Sequence, residues 1–311
     1  MTDGPVATRA LPVGSLLLTD SGLETDLVFH HGFDLPDFAA FPLLDDPAGE
    51  AALRRYYDEH VEVARSAGVG IVLETPTWRA SADWGERLGY DGAALEAVNH
   101  RAVSLLRELG RDAGTPVVVS GCLGPRGDGY VAETALTADD AERYHGPQVA
   151  ALAAAGADLV TAMTITTVAE AVGIVRAAGG HRVPVVIAFT VETDGRLPDG
   201  TPLGVAIEEV DLATGAAASW FMVNCAHPSH LDGALSAPGP WRERLRGVRA
   251  NTSRLSHAEL DEAEVLDDGD PDELAGELRH LRSALPRLDV LGGCCGTDVR
   301  HIAAIAAACT S

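Results

Sequence analysis

The chain has 311 residues, 46% of them hydrophobic, enough for one large core. Its 46 acidic against 23 basic residues give a formal charge of -23 with no basic stripe, which argues against nucleic acid and anionic membrane surfaces as partners. Five irregularly spaced cysteines do not suit a secreted disulfide scaffold. No apolar run is long enough to span a bilayer and no signal-peptide pattern opens the chain, so a cytoplasmic protein is expected.

Residues 1–15 read as a loose arm, and residues 16–311 as one domain. Residues 15–20 (S-L-L-L-T-D) form a short buried-type strand, and Ser21-Gly22 turns the chain away. Residues 34–46 read as an ordered loop. Residues 50–67 are helix-like, with Leu53, Tyr56, Tyr57, His60, Val61 and Ala64 on related turns. The alternation then repeats. Strands are expected at 69–74, 116–120, 158–162, 184–190, 218–224, 245–250 and 288–291. Helices are expected at 93–110, 138–155, 168–178, 203–214, 271–285 and 298–309, and a helix or turn at 229–235.

This amounts to about eight strand-then-helix units of roughly 30 to 45 residues, the length typical of a (β/α)8 TIM barrel. Near-continuous apolar strands suit a parallel sheet buried on both faces. The rival, an open doubly wound sheet, calls for a G-x-G-x-x-G turn after an early strand, and none is present.

A barrel carries its site on the loops after the strands. Those positions hold Asp20; Glu74 with Trp78 and Arg79; residues 121–130; Met163 and Thr164; Thr190, Glu192 and Asp194; Asn224, Cys225 and His227; Asn251; and Cys294 with Cys295. The strand beginnings (Ser15, Pro116, Pro184) are bland by contrast. Cys294 and Cys295 are adjacent, a strained arrangement for a disulfide, but glycines on both sides allow a turn that points both at one metal. With Cys225 they offer zinc three thiolates and leave a fourth position open. An all-sulfur set makes zinc a poor activator of water but a good holder of a reactive thiolate, which suggests attack by a thiol on an electrophilic carbon. Packing cysteines that pair by chance are the alternative, and Cys122 and Cys309 are read as packing residues.

Three motifs, G-G-C-C-G-T with Cys294 and Cys295, Asn224-Cys225, and D-S-G-L-E-T from Asp20 to Thr25, together resemble the homocysteine S-methyltransferase family over nearly the whole chain. The resemblance implies a (β/α)8 barrel with Zn2+ on Cys225, Cys294 and Cys295 and a substrate thiol as fourth ligand. The thiol would take a methyl group from a small donor of the S-methylmethionine, S-adenosylmethionine or betaine type, homocysteine being the default acceptor. Asp20 matches an aspartate that helps hold the homocysteine amino group; otherwise it caps or turns the chain. Asn251, in R-A-N-T-S, resembles a family segment near the site, or else is a turn asparagine.

Two departures stand out. Met163 occupies the place of a glutamate that binds the amino group, and Arg79 the place of a tyrosine near the zinc. Arg79 would grip a carboxylate, or pair with Glu74. These departures leave the identity of the thiol open while keeping thiol methyl transfer. Glu192 and Asp194 suit a cationic donor or form a solvated loop, and Trp78 is a candidate for a cation cage. His227 is a candidate fourth ligand or general base, or else caps the turn before Pro228. His257 and His301 read as a cap neighbour and a helix-surface residue. The alternatives to a methyltransferase are a zinc lyase or hydrolase on the same barrel and a non-catalytic zinc- or thiol-binding protein. The expected partners are a small thiol and a methyl donor; homo-oligomerisation and a protein-borne corrinoid partner are left open.

Overall fold

The computed structural model describes residues 16–132, 135–262, 265–285 and 287–310; the expected arm at residues 1–15 lies outside them. Eight strands close into a parallel barrel in sequence order. They are β1 (Leu17–Thr19), β2 (Gly70–Glu74), β3 (Val117–Leu123), β4 (Leu159–Ile165), β5 (Val185–Phe189), β6 (Trp220–Ala226), β7 (Leu245–Ala250) and β8 (Val290–Gly293). Closure runs through β1, where Leu17 pairs with Gly70 on one side and Val290 on the other.

The strand residues alternate between two apolar layers. Leu17, Val72, Leu159, Val186, Trp220, Met222 and Val290 fill the barrel interior, with Cys122 and Met163 in the same cluster. Their neighbours face outward and pack under the helices with Leu53, Val98, Leu152, Ile174 and Ile302. A strand buried on both faces must be apolar throughout, which is why the sequence shows continuous runs rather than alternation.

The helices start where side chains satisfy their free backbone donors. Asp46 accepts from Gly49 N ahead of the helix Pro47–Ala67, and Asp91 accepts from Ala94 N ahead of Gly92–Arg111. Thr137 and Thr167 do the same for Ala138–Ala154 and Val168–His181. Helices Leu203–Thr214, Pro271–Ala284 and Val299–Thr310 cover the remaining sectors, and Trp241 is buried in the β6–β7 crossover.

Some expected boundaries shift. β3, β4 and β6 run two or three residues further than expected, so Cys122, Met163 and Cys225 belong to strands, not to the loops after them. The helix or turn expected at 229–235 is two short helical turns, Pro228–Leu231 and Asp232–Leu235. A helix at Ala82–Arg87 and a helical stretch through Leu23–Thr25 and Asp26–His30 had no clear periodic signal, because such short segments are held by tertiary contacts.

Candidate metal and substrate site

At the C-terminal mouth of the barrel, three cysteine sulfurs lie within 4.8 Å of one another, contributed by Cys225, Cys294 and Cys295. Cys225 Sγ is 2.6 Å from Cys294 Sγ and 3.9 Å from Cys295 Sγ. The shorter separation exceeds the roughly 2.0 Å of a disulfide. Hydrogen bonds from Cys225 and Cys295 hold Cys294 well below the usual thiol range, and the Arg249 charge adds to this. Cys225 is pushed up mainly by its contact with Cys294, and Cys295 by its contacts with Cys225 and Cys294.

Two bulged strands aim the cluster. Cys225 has φ 53° and Thr164 φ 62°, and the β6–β7 and β4–β5 registers shift at these residues. Such conformations cost energy in a residue with a Cβ and re-aim the side chain. Asn224 ties the two bulges together: its Oδ1 accepts from Thr164 N at 2.7 Å, and its Nδ2 donates to Thr164 Oγ1 at 2.9 Å. The cysteine pair sits on a turn closed by Gly296 at φ 82°, and Cys294 N donates to Ala250 O at 2.8 Å.

The D-S-G-L-E-T segment packs directly against this turn. Gly22 N donates to Thr297 Oγ1 at 3.1 Å, and Gly296 N donates to Thr25 Oγ1 at 3.2 Å. A Cβ on Gly22 would stand 2.3 Å from Cys294 O, so only glycine allows this approach. Asp20 lines the cavity, but its carboxylate is already engaged. Oδ1 pairs with Arg249 Nη2, and Oδ2 accepts from Glu74 N at 2.8 Å. Each carboxylate oxygen thus carries one protein contact, and Asp20 helps hold the frame of the site while also lining the cavity.

Arg249 was visible in the sequence only as part of a weak strand. It is buried, and its Nε donates to Gly293 O at 3.0 Å, just before the cysteine pair. Its Nη2 also donates to Ser21 O at 2.8 Å. The signal was an arginine inside a barrel strand, which demands a buried partner.

His257 follows the helix cap Ser256, as expected of a cap neighbour, and it also stands directly behind the cluster. Its Nε2 donates to Cys225 O at 2.9 Å, and Glu192 Oε1 lies 3.1 Å from Nδ1. Glu192 thus faces His257 and is not among the residues lining the cavity. Tyr130 stacks on the His257 ring at 4.2 Å and places its hydroxyl 3.9 Å from Cys295 Sγ. Burial, and then the charge of Cys225, push the phenol well above its ordinary range.

These groups border a cavity of about 430 Å³. Its wall also includes Glu24, Phe29, Phe38, Trp78, Met163 and Leu260, alongside the expected Glu74, Arg79, Asn224 and Asn251. Burial pushes Glu24 and Glu74 each up to about 7. Glu74 Oε2 and Asn251 Oδ1 are buried without a hydrogen-bond partner. Arg79 does not pair with Glu74. It lies between two indoles, 3.8 Å from the Trp78 ring and 3.6 Å from the Trp84 ring. That placement covers one face of Trp78, which also lines the cavity.

The remaining histidines lie outside the sulfur cluster. His227 Nδ1 accepts from Ser229 N and caps the following turn, while its Nε2 is 3.1 Å from Glu277. His301 is fully buried, not on a helix surface, with Nε2 donating to Asp268 O at 2.8 Å. Cys122 lines the cavity as a buried residue of the interior cluster, and Cys309 packs in the outer core.

Comparison with known proteins places this geometry in context. The family model described as homocysteine S-methyltransferase matches residues 17–309. The chain is 25% identical over 323 residues to homocysteine S-methyltransferase 4 of Zea mays, covering 95% of this chain and 90% of that protein. Its fold is similar to two crystal structures of the homocysteine methyltransferase MmuM from Escherichia coli. The metallated form gives a TM-score of 0.72 at 24% identity, covering 94% of this chain and 96% of that one. The oxidized form gives 0.73 at 23% identity, covering 94% and 95%.

Proposed function

The chain belongs to the homocysteine S-methyltransferase family, and from that premise we propose that it is a zinc-dependent S-methyltransferase acting on a small thiol, with homocysteine the default acceptor and methionine the product. The donor is a small methyl compound of the S-methylmethionine, S-adenosylmethionine or betaine type. The observation that carries this reading is the convergence of Cys225, Cys294 and Cys295 on one point at the cavity floor. The donor set fits zinc: three thiolates on rigid strand ends, with a cavity above them where a substrate sulfur can enter.

Zinc held by these cysteines would supply a Lewis acid that keeps the acceptor thiol deprotonated at neutral pH. The protein's own groups do the rest. Arg249, buried beside Cys294, offsets the negative charge that sulfur ligands accumulate. Asn224 fixes the two bulges, and His257 holds the Cys225 carbonyl, so the sulfurs keep their directions without substrate. Phe29, Phe38, Trp78 and Met163 keep water from the reacting atoms, while Glu24, Glu74, Asn251 and Arg79 offer polar contacts to the substrates. The acceptor sulfur forms its bond to the methyl carbon as the donor's bond to that carbon breaks, and the bonding pair leaves with the donor.

We take residues 16–311 as one catalytic domain acting in the cytoplasm. Among the described residues all five cysteines are free, and no helix is long and apolar enough to cross a membrane; the free cysteines suit a reducing compartment. The test is an activity matrix of thiols against methyl donors read by mass spectrometry, with metal measured on the same reduced sample. A methylated thioether from protein containing zinc supports the reading. Metal-free protein with full activity ends it, and product formed without any thiol would point to a lyase or hydrolase.

A further inference from the structure

The cysteines come from β6 and the turn after β8, whereas Arg79 comes from the loop after β2 and lines the same cavity. It is only 6% exposed. Its guanidinium is held between the Trp78 and Trp84 rings, and Nη1 donates to Gly127 O at 3.0 Å. Trp84 is fixed in turn, because its Nε1 donates to Arg126 O at 2.9 Å.

No carboxylate among the described residues lies within ion-pair distance of Arg79. Asp128 and Glu24 act on it only through charge at longer range, and burial pushes the guanidinium down to about 10. Arg79 Nε has no hydrogen-bond partner, and neither has the neighbouring Trp78 Nε1. A buried cation without a counter-ion is costly, and proteins seldom keep one without a partner. Here the two indole faces offset part of that cost through cation–π attraction. They also lock the guanidinium plane, so only its edge is left for hydrogen bonding. A guanidinium edge with free donors is suited to a carboxylate.

We propose that Arg79, clamped between Trp78 and Trp84, anchors the carboxylate of a small substrate in this cavity, so that the enzyme selects carboxylate-bearing molecules. The inference rests on the methyl-transfer reading above and adds to it the residue that holds the substrate carboxylate. The carboxylate belongs either to the acceptor thiol or to the methyl donor. The chemistry is the same in both cases, and kinetics separates them.

The test compares wild type, Arg79→Gln and Arg79→Lys with two matched pairs of probes. Homocysteine is set against 2-aminoethanethiol as acceptor, and S-methylmethionine against trimethylsulfonium as donor. Loss of a charge-assisted contact in Arg79→Gln should raise KM about 10- to 100-fold for the substrate that carries the anchored carboxylate. The penalty should vanish for its carboxylate-free counterpart, with kcat little changed and partial recovery in Arg79→Lys. A penalty confined to homocysteine assigns the acceptor, and one confined to S-methylmethionine assigns the donor. Equal penalties with and without the carboxylate, or none, overturn the proposal.

Calorimetric titration with propionate gives a readout independent of turnover. If wild type transfers no methyl group, the functional reading fails, yet tighter propionate binding to wild type than to Arg79→Gln still supports the anchor. Equal binding, or none, overturns it. Should Arg79→Gln lose its circular-dichroism signature, Arg79→Lys and Trp84→Phe are compared with wild type by the same criteria.

Discussion

Arg249 on β7 and Asp20 at the end of β1 form a buried ion pair, and the same guanidinium donates to the carbonyl of Gly293 immediately before the cysteine pair. Arg249 thereby links the N-terminal strand end to the β8 turn, and Asp20 also receives the Glu74 backbone N–H from the end of β2. The pair therefore sets where the β8 turn can stand.

Asp20→Asn should behave as a frame mutation. It leaves the Arg249 charge buried without its partner, which costs about 3–5 kcal/mol. Urea unfolding should show that loss, and competition with a chelator should show weaker metal binding. A variant of wild-type stability with only a raised acceptor KM would instead return Asp20 to the role of an ammonium ligand.

Cys225→Ala and Cys294→Ala each remove one of three sulfurs and should bring metal content close to zero after dialysis, with loss of methyl transfer. Elemental analysis of reduced protein reads the first effect. Retention of stoichiometric zinc by either variant would mean that the ligands lie elsewhere.

Asn224→Ala strips the acceptor from the Thr164 N–H and the link between the two bulges. An unsatisfied buried backbone donor costs about 1–3 kcal/mol. Metal affinity should fall roughly 10- to 100-fold, as when a group orienting a ligand is lost. Unchanged chelator competition together with full stability would show that Cys225 holds its conformation unaided.

Glu74 gives a pH signature. Burial raises its carboxyl from 4.5 to about 7. A raised carboxyl leaves stability intact below about pH 4.5, where both folded and unfolded chains are protonated. Stability is then lost progressively up to about pH 7, as the unfolded chain ionises first. Glu74→Gln removes this loss. It should match wild type near pH 4 and exceed it at pH 8 by on the order of 3 kcal/mol. Chemical denaturation at both values checks this, and a gap that stays constant with pH would refute the assignment.

The barrel and its sulfur cluster were legible in the chain because their signals are local. Strands buried on both faces must be continuous apolar runs, and the helices begin at capping residues such as Asp46 and Asp91 that are visible as letters. Cys294 and Cys295 advertise a turn because glycines flank them, and placing strand ends on one face of the barrel brings Cys225 to them.

Only the tertiary structure decided how the polar residues divide between frame and substrate. Asp20 and Arg249 are 229 positions apart, and no spacing rule foretells that they meet; barrel closure brings them together and gives Asp20 a part in the frame. His257 is the cap neighbour the chain announces, but only the fold of the loop after β7 brings its ring to the Cys225 carbonyl. Arg79 had two readings as a letter, and the packing of Trp78 and Trp84 on its faces sets aside the ion pair with Glu74. Backbone periodicity is written in neighbouring residues. Charge pairing is settled by which strand ends share a rim, and that is a property of the closed sheet.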